Sequence, residues 1–424
     1  MMDFIEELEW RGMIHDIMPG TQEKLAEGMK AGYIGFDPTA DSLHVGSLVP
    51  IMILKHFQKA GHQPFVLVGG ATGMVGDPSG KSQERNLLDA DTLDKNVAGL
   101  KNQLSQFLDF SNGDNKAVMV NNYDWFKDFS FLDFIRDVGK HLSVNYMMAK
   151  DSVKKRLDTG MSFTEFSYQL VQGYDFLRLF KDHNCIVQLG GSDQWGNITT
   201  GTELIRRMAQ GEAFAVTTPL MKKADGSKFG KSEAGNVWLD PARTSPYKFY
   251  QFWINATDAD VAQFLKTFTM MSKAEIENLI TQHEEDPGQR LAQKELAKQV
   301  TSMVHGEEAY NKAVEASQIV FSKNAVEQVK QLSEEDFLDI FGGNDMKSLD
   351  KSLLKHGLSV IDFITEIGLC SSKGDSRRML KQNSISINTE KVNDEKEITS
   401  EDLLSNKYIL AYKGKKQKLI VKLD

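Results

Sequence analysis

Two hydrophobic rhythms alternate along the first half of the chain. Ala31–Phe36 is a short run with a β-branched and aromatic core and predicts a strand, whereas Leu48, Ile51, Met52, Leu54 and Phe57 recur at helical spacing. The alternation continues with a strand at Pro64–Val68, a helix over 92–108, a strand at Ala117–Val120 and a helix around Phe131–Lys140. Between them Asn121–Trp125 reads as a polar turn and His141–Met148 as a connecting stretch. A helix at Thr164–Phe180, a strand at Cys185–Leu189 and a helix at Ile198–Met208 follow. Strands separated by helices predict an α/β fold with a parallel sheet that binds ligands at the strand C-termini. Residues 1 to about 30 read as helix, on Phe4, Ile5, Leu8 and Met13. From Ser245 to about Phe321 the pattern is helical only, with start signals at Thr257-x-x-Asp260 and at the capping box Ser272–Glu275, and a break at Asp286-Pro287-Gly288. Residues 322–352 are acidic, contain Gly342-Gly343-Asn344-Asp345, and read as a linker. The tail returns to mixed structure: helices at Val360–Ile367 and Lys373–Lys381, a strand at Ile385–Asn388, and a basic turn, Lys413-Gly414-Lys415-Lys416, between strands Tyr408–Tyr412 and Leu419–Lys422.

A length of 424 residues implies two to three domains. The net charge of −9 confines any nucleic-acid contact to a local basic patch. Residues 353–424 supply one: thirteen Lys plus Arg stand against ten Asp plus Glu there, and 37 against 49 in the remainder. Cys185 and Cys370 have no pairing or metal spacing, which fits a reduced cytoplasm. The acidic N-terminus lacks the basic and apolar regions of a signal peptide, and no run has the length of a membrane span, so a cytoplasmic location is expected.

The chemistry clusters where strands end. After Phe36 come an Asp37-Pro38 turn, the capping candidates Asp41 and Ser42, and then His44-Val45-Gly46-Ser47 opening a helix. Such a turn aims backbone N–H groups at one point, which suits phosphate. The His44 imidazole can donate to an oxyanion, Gly46 lets a flat ligand approach the backbone, and Pro50 is expected to kink the helix against Gly46. The second strand runs into a glycine-rich loop, Gly69–Ser82. It is not a phosphate-binding P-loop, because that pattern ending at Ser82 needs glycine where Val75 stands. Tyr168, Gln172 and Asp175 share one helix face, with Phe166, Leu170 and Leu177 opposite. An aromatic, an amide and a carboxylate suit a zwitterionic, phenolic amino acid. After Gly190-Gly191, Asp193 can reach ribose hydroxyls or cap the next helix. Lys228-Phe229-Gly230-Lys231-Ser232 sets two lysines beside a hydroxyl in a glycine-containing loop, able to wrap a triphosphate.

These motifs together carry a resemblance over nearly the whole chain. His44–Ser47 resembles the "HIGH" signature of class I aminoacyl-tRNA synthetases, ending in Ser47 where His or Asn is usual. Tyr33-Ile34-Gly35-Phe36-Asp37-Pro38-Thr39-Ala40 resembles the corresponding run of bacterial tyrosyl-tRNA synthetases, Lys228–Ser232 resembles their variant of "KMSKS", and the tail resembles their small RNA-binding module. The resemblance implies a Rossmann-like catalytic domain at 1–220, a lysine-rich catalytic loop and connector at 221–245, an α-helical anticodon-arm domain at 246–325, a linker at 326–352 and an RNA-binding α+β domain at 353–424. It implies activation of tyrosine by ATP, with Mg²⁺ accompanying the nucleotide, followed by transfer of tyrosyl to tRNA(Tyr), in a homodimer with no prosthetic group. Thr39, His44, Ser47, Lys81, Arg85, Lys228, Lys231 and Ser232 would stabilise the transferring phosphates. Tyr33, Asp77, Tyr168, Gln172, Asp175 and Gln194 would bind tyrosine, with Tyr33 and Asp175 on its phenol. Gly35, Asp37, Gly46, Gly191, Asp193 and Lys231 would bind ATP, and Lys373, Arg377, Arg378 and Lys381 would grip tRNA phosphates. The alternative is an RNA-binding or adenylylating pseudo-synthetase that no longer charges tRNA.

Overall fold

A computed structural model of the chain describes residues 3–79, 88–154, 156, 160–232, 235–321, 329, 334–341, 345–355, 357–414 and 417–424. Contacts divide the chain into two compact units, Met1–Thr244 with Phe252–Val304, and Ser245–Gln251 with His305–Asp424. Among the described residues no helix is long and apolar enough to cross a membrane.

The first unit is built on a six-stranded sheet. Its order is Asp16–Ile17, Phe214–Thr218, Cys185–Gly191, Ala31–Phe36, Gln63–Val68, Val118–Asn121. Every pairing is parallel except at the Asp16–Ile17 edge. The parallel strands start at Ala31–Phe36, add two strands to one side, then return to build the other side from Cys185. The C-terminal ends of Ala31–Phe36 and Cys185–Gly191 therefore flank the topological switch point, where an open α/β sheet leaves a crevice. Strand interiors are apolar and buried as a doubly covered parallel sheet requires: Phe65, Val66, Leu67 and Val68 are all at most 3% exposed.

The expected N-terminal helix is two short ones, Phe4–Trp10 and Thr21–Ala26, with the edge strand between them. Gly12 and Gly20 take positive φ angles of 70° and 84° there, which helical backbone cannot accommodate, and Asp16 and Ile17 instead extend the sheet beside Val216 and Thr217. The stretch expected as a connection at 141–148 contains a helix, Val144–Met148, capped by Ser143. The helix bearing the polar face runs from Phe163 to His183, capped by Ser162 and closed by Asn184 in the left-handed region. It packs closely on the helix Trp195–Ala209, since a Cβ at Gly201 would come within 2.9 Å of Phe176. Leu177 is buried in the core with Tyr33, Phe65 and Ile205, while Phe166 and Leu170 pack against a second cluster around Val138 and Met147. Further helices of this unit include Asp258–Phe268 and Lys273–Glu285, the latter opened by the Ser272–Glu275 capping box.

The second unit carries a five-stranded sheet in the order Glu390–Lys391, Ile385–Ile387, Tyr408–Lys413, Gln417–Leu423, Asp345–Leu349. Helices Val360–Glu366 and Lys373–Lys381 lie in the same core, with Phe363, Ile364, Leu380, Ile385 and Ile409 buried together. Within the stretch expected as a linker, Glu334–Phe341 is helical and Asp345–Leu349 pairs in parallel with Leu419–Leu423. Fold class thus agrees with the sequence: a parallel-sheet α/β domain, added helices and a small α+β domain.

Candidate active site

The crevice at the switch point is a cavity of about 470 Å³. Its lining includes all six residues assigned above to tyrosine: Tyr33, Asp77, Tyr168, Gln172, Asp175 and Gln194. From the first signature and its approach come Gly35, Asp37, Thr39, His44, Gly46 and Ser47, and Gly191 and Asp193 complete the set. Lys228 is exposed and outside the lining, although its neighbour Phe229 belongs to it. Lys231 and Ser232 form a two-residue strand paired with Gly235–Asn236. Lys81 and Arg85 lie outside the described residues.

At the cavity floor, adjacent strands set Tyr33 opposite Gln188. Both are buried, and the Tyr33 hydroxyl and Gln188 Oε1, like Gln172 Oε1 elsewhere in the lining, have no hydrogen-bond partner among the described residues. Polar atoms held out of water without partners cost free energy unless a ligand supplies the bonds. Asp175 stands with them at 1% exposure. Its carboxyl accepts from the Trp125 indole N–H at 2.9 Å and from the Asn122 amide at 3.0 Å. Burial nevertheless dominates and raises its pKa from 3.8 to about 8. The Tyr33 and Tyr168 phenols are likewise pushed up by burial.

Two hydrogen-bonded groups line the pocket. The Tyr168 hydroxyl donates to Asp37 Oδ2 at 2.8 Å, and the Thr72 hydroxyl donates to Asp37 Oδ1 at 2.7 Å. The Asn122 amide donates to Thr72 Oγ1 as well as to Asp175. On the other side, Gln194 Nε2 donates to Asp77 Oδ2 at 2.7 Å. Asn122, Trp125, Thr72 and Gln188 were missed by the sequence reading. A lone amide in an otherwise apolar strand was the available signal for Gln188.

The His44 turn differs in detail from expectation. Neither Asp41 nor Ser42 caps it. His44 does so itself, its Nδ1 accepting the Gly46 N–H at 3.0 Å, which leaves the ring proton on Nε2. Asp41 is held by Arg243 and Lys95 instead, and the Ser42 hydroxyl donates to the Leu43 carbonyl. A Cβ at Gly46 would meet His44 Cε1 at 2.8 Å, so this glycine makes room for the imidazole as well as for a ligand. Ser47 Oγ accepts the His44 N–H at 3.4 Å. Pro50 produces no mid-helix kink: Val45–Ser47 is a 3-10 turn, the α-helix begins at Leu48, and Pro50 falls in its first turn, where an N–H has no intrahelical partner. The N-cap positions of the two turns that follow are Gly191 and Gln194, so Asp193 is the N-cap residue of neither.

In the second unit, all four basic residues lie on the helix Lys373–Lys381. Lys373 pairs with Asp362 at 2.6 Å and Arg378 with Asp375 at 2.7 Å, while Arg377 and Lys381 are exposed. Among the described residues no three His, Cys, Asp or Glu side chains gather as a metal site.

Residues 27–322 match the tRNA synthetases class I (W and Y), and residues 339–421 match the C-terminal domain of tyrosine–tRNA ligases of the SYY-like type. The chain is 57% identical over 427 residues to the tyrosine–tRNA ligase of Porphyromonas gingivalis, covering 99% of each chain. It is 55% identical over 429 residues to that of Flavobacterium johnsoniae, covering both completely. Among solved structures, the C-terminally truncated mitochondrial tyrosyl-tRNA synthetase of Aspergillus nidulans superposes with a TM-score of 0.68 at 30% identity, over 76% of this chain and 95% of the other. With a family model over residues 27–322 and similarity along its full length, the chain belongs to the class I tRNA synthetases of the tryptophanyl and tyrosyl group.

Proposed function

We propose that this chain is a tyrosine–tRNA ligase, and that the buried Tyr33–Asp175 floor is where it recognises the phenol of its amino acid. That floor carries the reading. A deep site holding a carboxyl and a phenol hydroxyl that has no partner among the described residues suits a substrate hydroxyl, and phenylalanine would leave the Tyr33 hydroxyl unpaired and give Asp175 no bond beyond those from Trp125 and Asn122. At the cavity's other end Asp77, Tyr168 and Gln172 meet the ammonium group. The tyrosine carboxylate then attacks the α-phosphate of ATP, forming tyrosyl-adenylate and releasing pyrophosphate. The tyrosyl group next passes to the 2′-OH at the tRNA 3′ end.

No protein nucleophile takes part; positioning and charge stabilisation suffice. Asp193 and Gly191 hold the ribose, His44 donates from Nε2 to phosphate oxygen, and Thr39, Lys228, Lys231 and Ser232 meet the charge that builds on the leaving group. Mg²⁺ enters on the triphosphate as part of the substrate, where it screens phosphate charge. Arg377 and Lys381, with Lys373 and Arg378 once their acidic partners yield, contact tRNA(Tyr) backbone. A homodimer is supported by exposed apolar side chains on neighbouring segments: Phe131, Leu132 and Ile135, Val144 and Met148, and Phe163. The two free, buried thiols suit the cytoplasm.

The test is ATP–pyrophosphate exchange with each of the twenty amino acids and no tRNA. Exchange with tyrosine alone is expected; exchange with none of them would overturn the assignment.

A further inference from the structure

The two signature segments are tied together through residues that belong to neither. Val237 is the pivot. Its N–H donates to the Gly230 carbonyl at 3.2 Å, inside the lysine-bearing loop, and its carbonyl accepts the Val45 N–H at 2.9 Å, inside the histidine turn. The ladder continues with Leu239 N–H to the Leu43 carbonyl at 2.8 Å. Side chains close the connection into a ring. Trp238 bridges to His44 along the backbone, and its indole meets the imidazole edge-on at 6.1 Å between centroids. The Arg243 guanidinium covers the Trp238 ring at 4.4 Å and pairs with Asp41 at 2.6 Å. Asp41 lies three residues before His44, so the 238–243 turn is gripped at both ends by the segment that carries the histidine.

A hydrogen-bonded ladder alone would fix the register of these segments. The guanidinium adds a restraint on the tilt of the indole, and through it on the imidazole, because a cation prefers the centre of the ring face and Asp41 holds it there. We infer that Arg243 and Trp238, clamped by Asp41, are positioning residues for adenylate formation: they hold the end of the lysine loop against the His44 turn so that both reach the same phosphates. The inference rests on the tyrosine-activating reading, and it assigns these side chains no contact with substrate.

Single-turnover adenylate formation, with tyrosine and saturating ATP, tests it. Arg243→Gln should slow the step by about tenfold, the order expected when a reacting group is displaced by a fraction of an ångström. The dissociation constant for tyrosine, measured by equilibrium titration, should stay within about twofold, since the phenol floor lies elsewhere. Arg243→Lys, which keeps a cation over the indole, should recover most of the rate. Asp41→Asn repeats the test from the other end of the ion pair, and the double variant should be no slower than Arg243→Gln alone. Wild-type rates in both single variants would overturn the inference, as would parallel loss of tyrosine affinity and rate, or a double variant slowed by the product of the two single effects. Absence of tyrosine-dependent exchange in the wild type would overturn the activation reading and this inference with it.

Discussion

Asp175 links stability to pH in a direction opposite to that of most carboxylates. In the unfolded chain its carboxyl titrates near 3.8, whereas burial in the native crevice raises it to about 8. Below pH 4 both states hold the proton. As pH rises towards 8 the unfolded chain releases it and the native chain does not, so native stability falls through that window and levels off above it. Between pH 5 and pH 8 the loss is at most about 4 kcal/mol, from 1.36 kcal/mol per pH unit of differential titration. Asp175→Asn removes the titration. Its amide can accept from Trp125 or Asn122 but not from both, so one donor is stranded at a pH-independent cost of about 1–3 kcal/mol. The stability difference, variant minus wild type, should therefore begin near or below zero at pH 5 and grow by up to about 4 kcal/mol at pH 8. Urea unfolding of both proteins at the two pH values measures this. A difference that stays constant from pH 5 to 8 would refute the claim that this carboxyl is held neutral by burial. Tyrosine titration completes the case: Asp175→Ala should abolish tyrosine binding and leave ATP binding intact.

Other substitutions probe separate parts of the crevice. Trp125→Phe removes the indole donor to Asp175 and should weaken tyrosine binding by about tenfold in equilibrium titration, with thermal stability lowered by about 1–2 kcal/mol; unchanged affinity would show that Asp175 is oriented by Asn122 alone. Gly46→Ala drives a Cβ into the His44 ring and should cut the rate of adenylate formation by at least about tenfold, while tyrosine affinity holds. Ser47→Asn should be tolerated or faster in pyrophosphate exchange, because the longer side chain reaches further towards an oxyanion than serine does; a drop of about a hundredfold would assign serine a specific local role.

Much of this architecture is legible in the residue pattern because the elements are long and their periods differ. The Phe163–His183 helix announces its polar face at i, i+4 and i+7, and the tail helix Lys373–Lys381 has the predicted bounds. Legibility fails where a residue's partner is remote. Asn122 and Trp125 look like ordinary turn residues until Asp175, some fifty positions on, is placed between them. His44 as its own cap depends on ring geometry rather than on spacing. The segments around Asp16 and Asp345 carry too few residues for a period to show, and only the neighbouring strands Phe214–Thr218 and Gln417–Leu423 make strands of them.

The place of Asp345–Leu349 at the edge of the C-terminal sheet bears on how that unit can be handled in isolation. A fragment cut at residue 353 would uncover the flank of Gln417–Leu423 over Leu419–Leu423, where Ile420 and Val421 are fully buried in the intact chain. Such a bare flank is a template for intermolecular β-pairing. Self-association of the excised module would then report a missing neighbour rather than a natural oligomer, and extending the fragment upstream past Asp345 should make it monomeric.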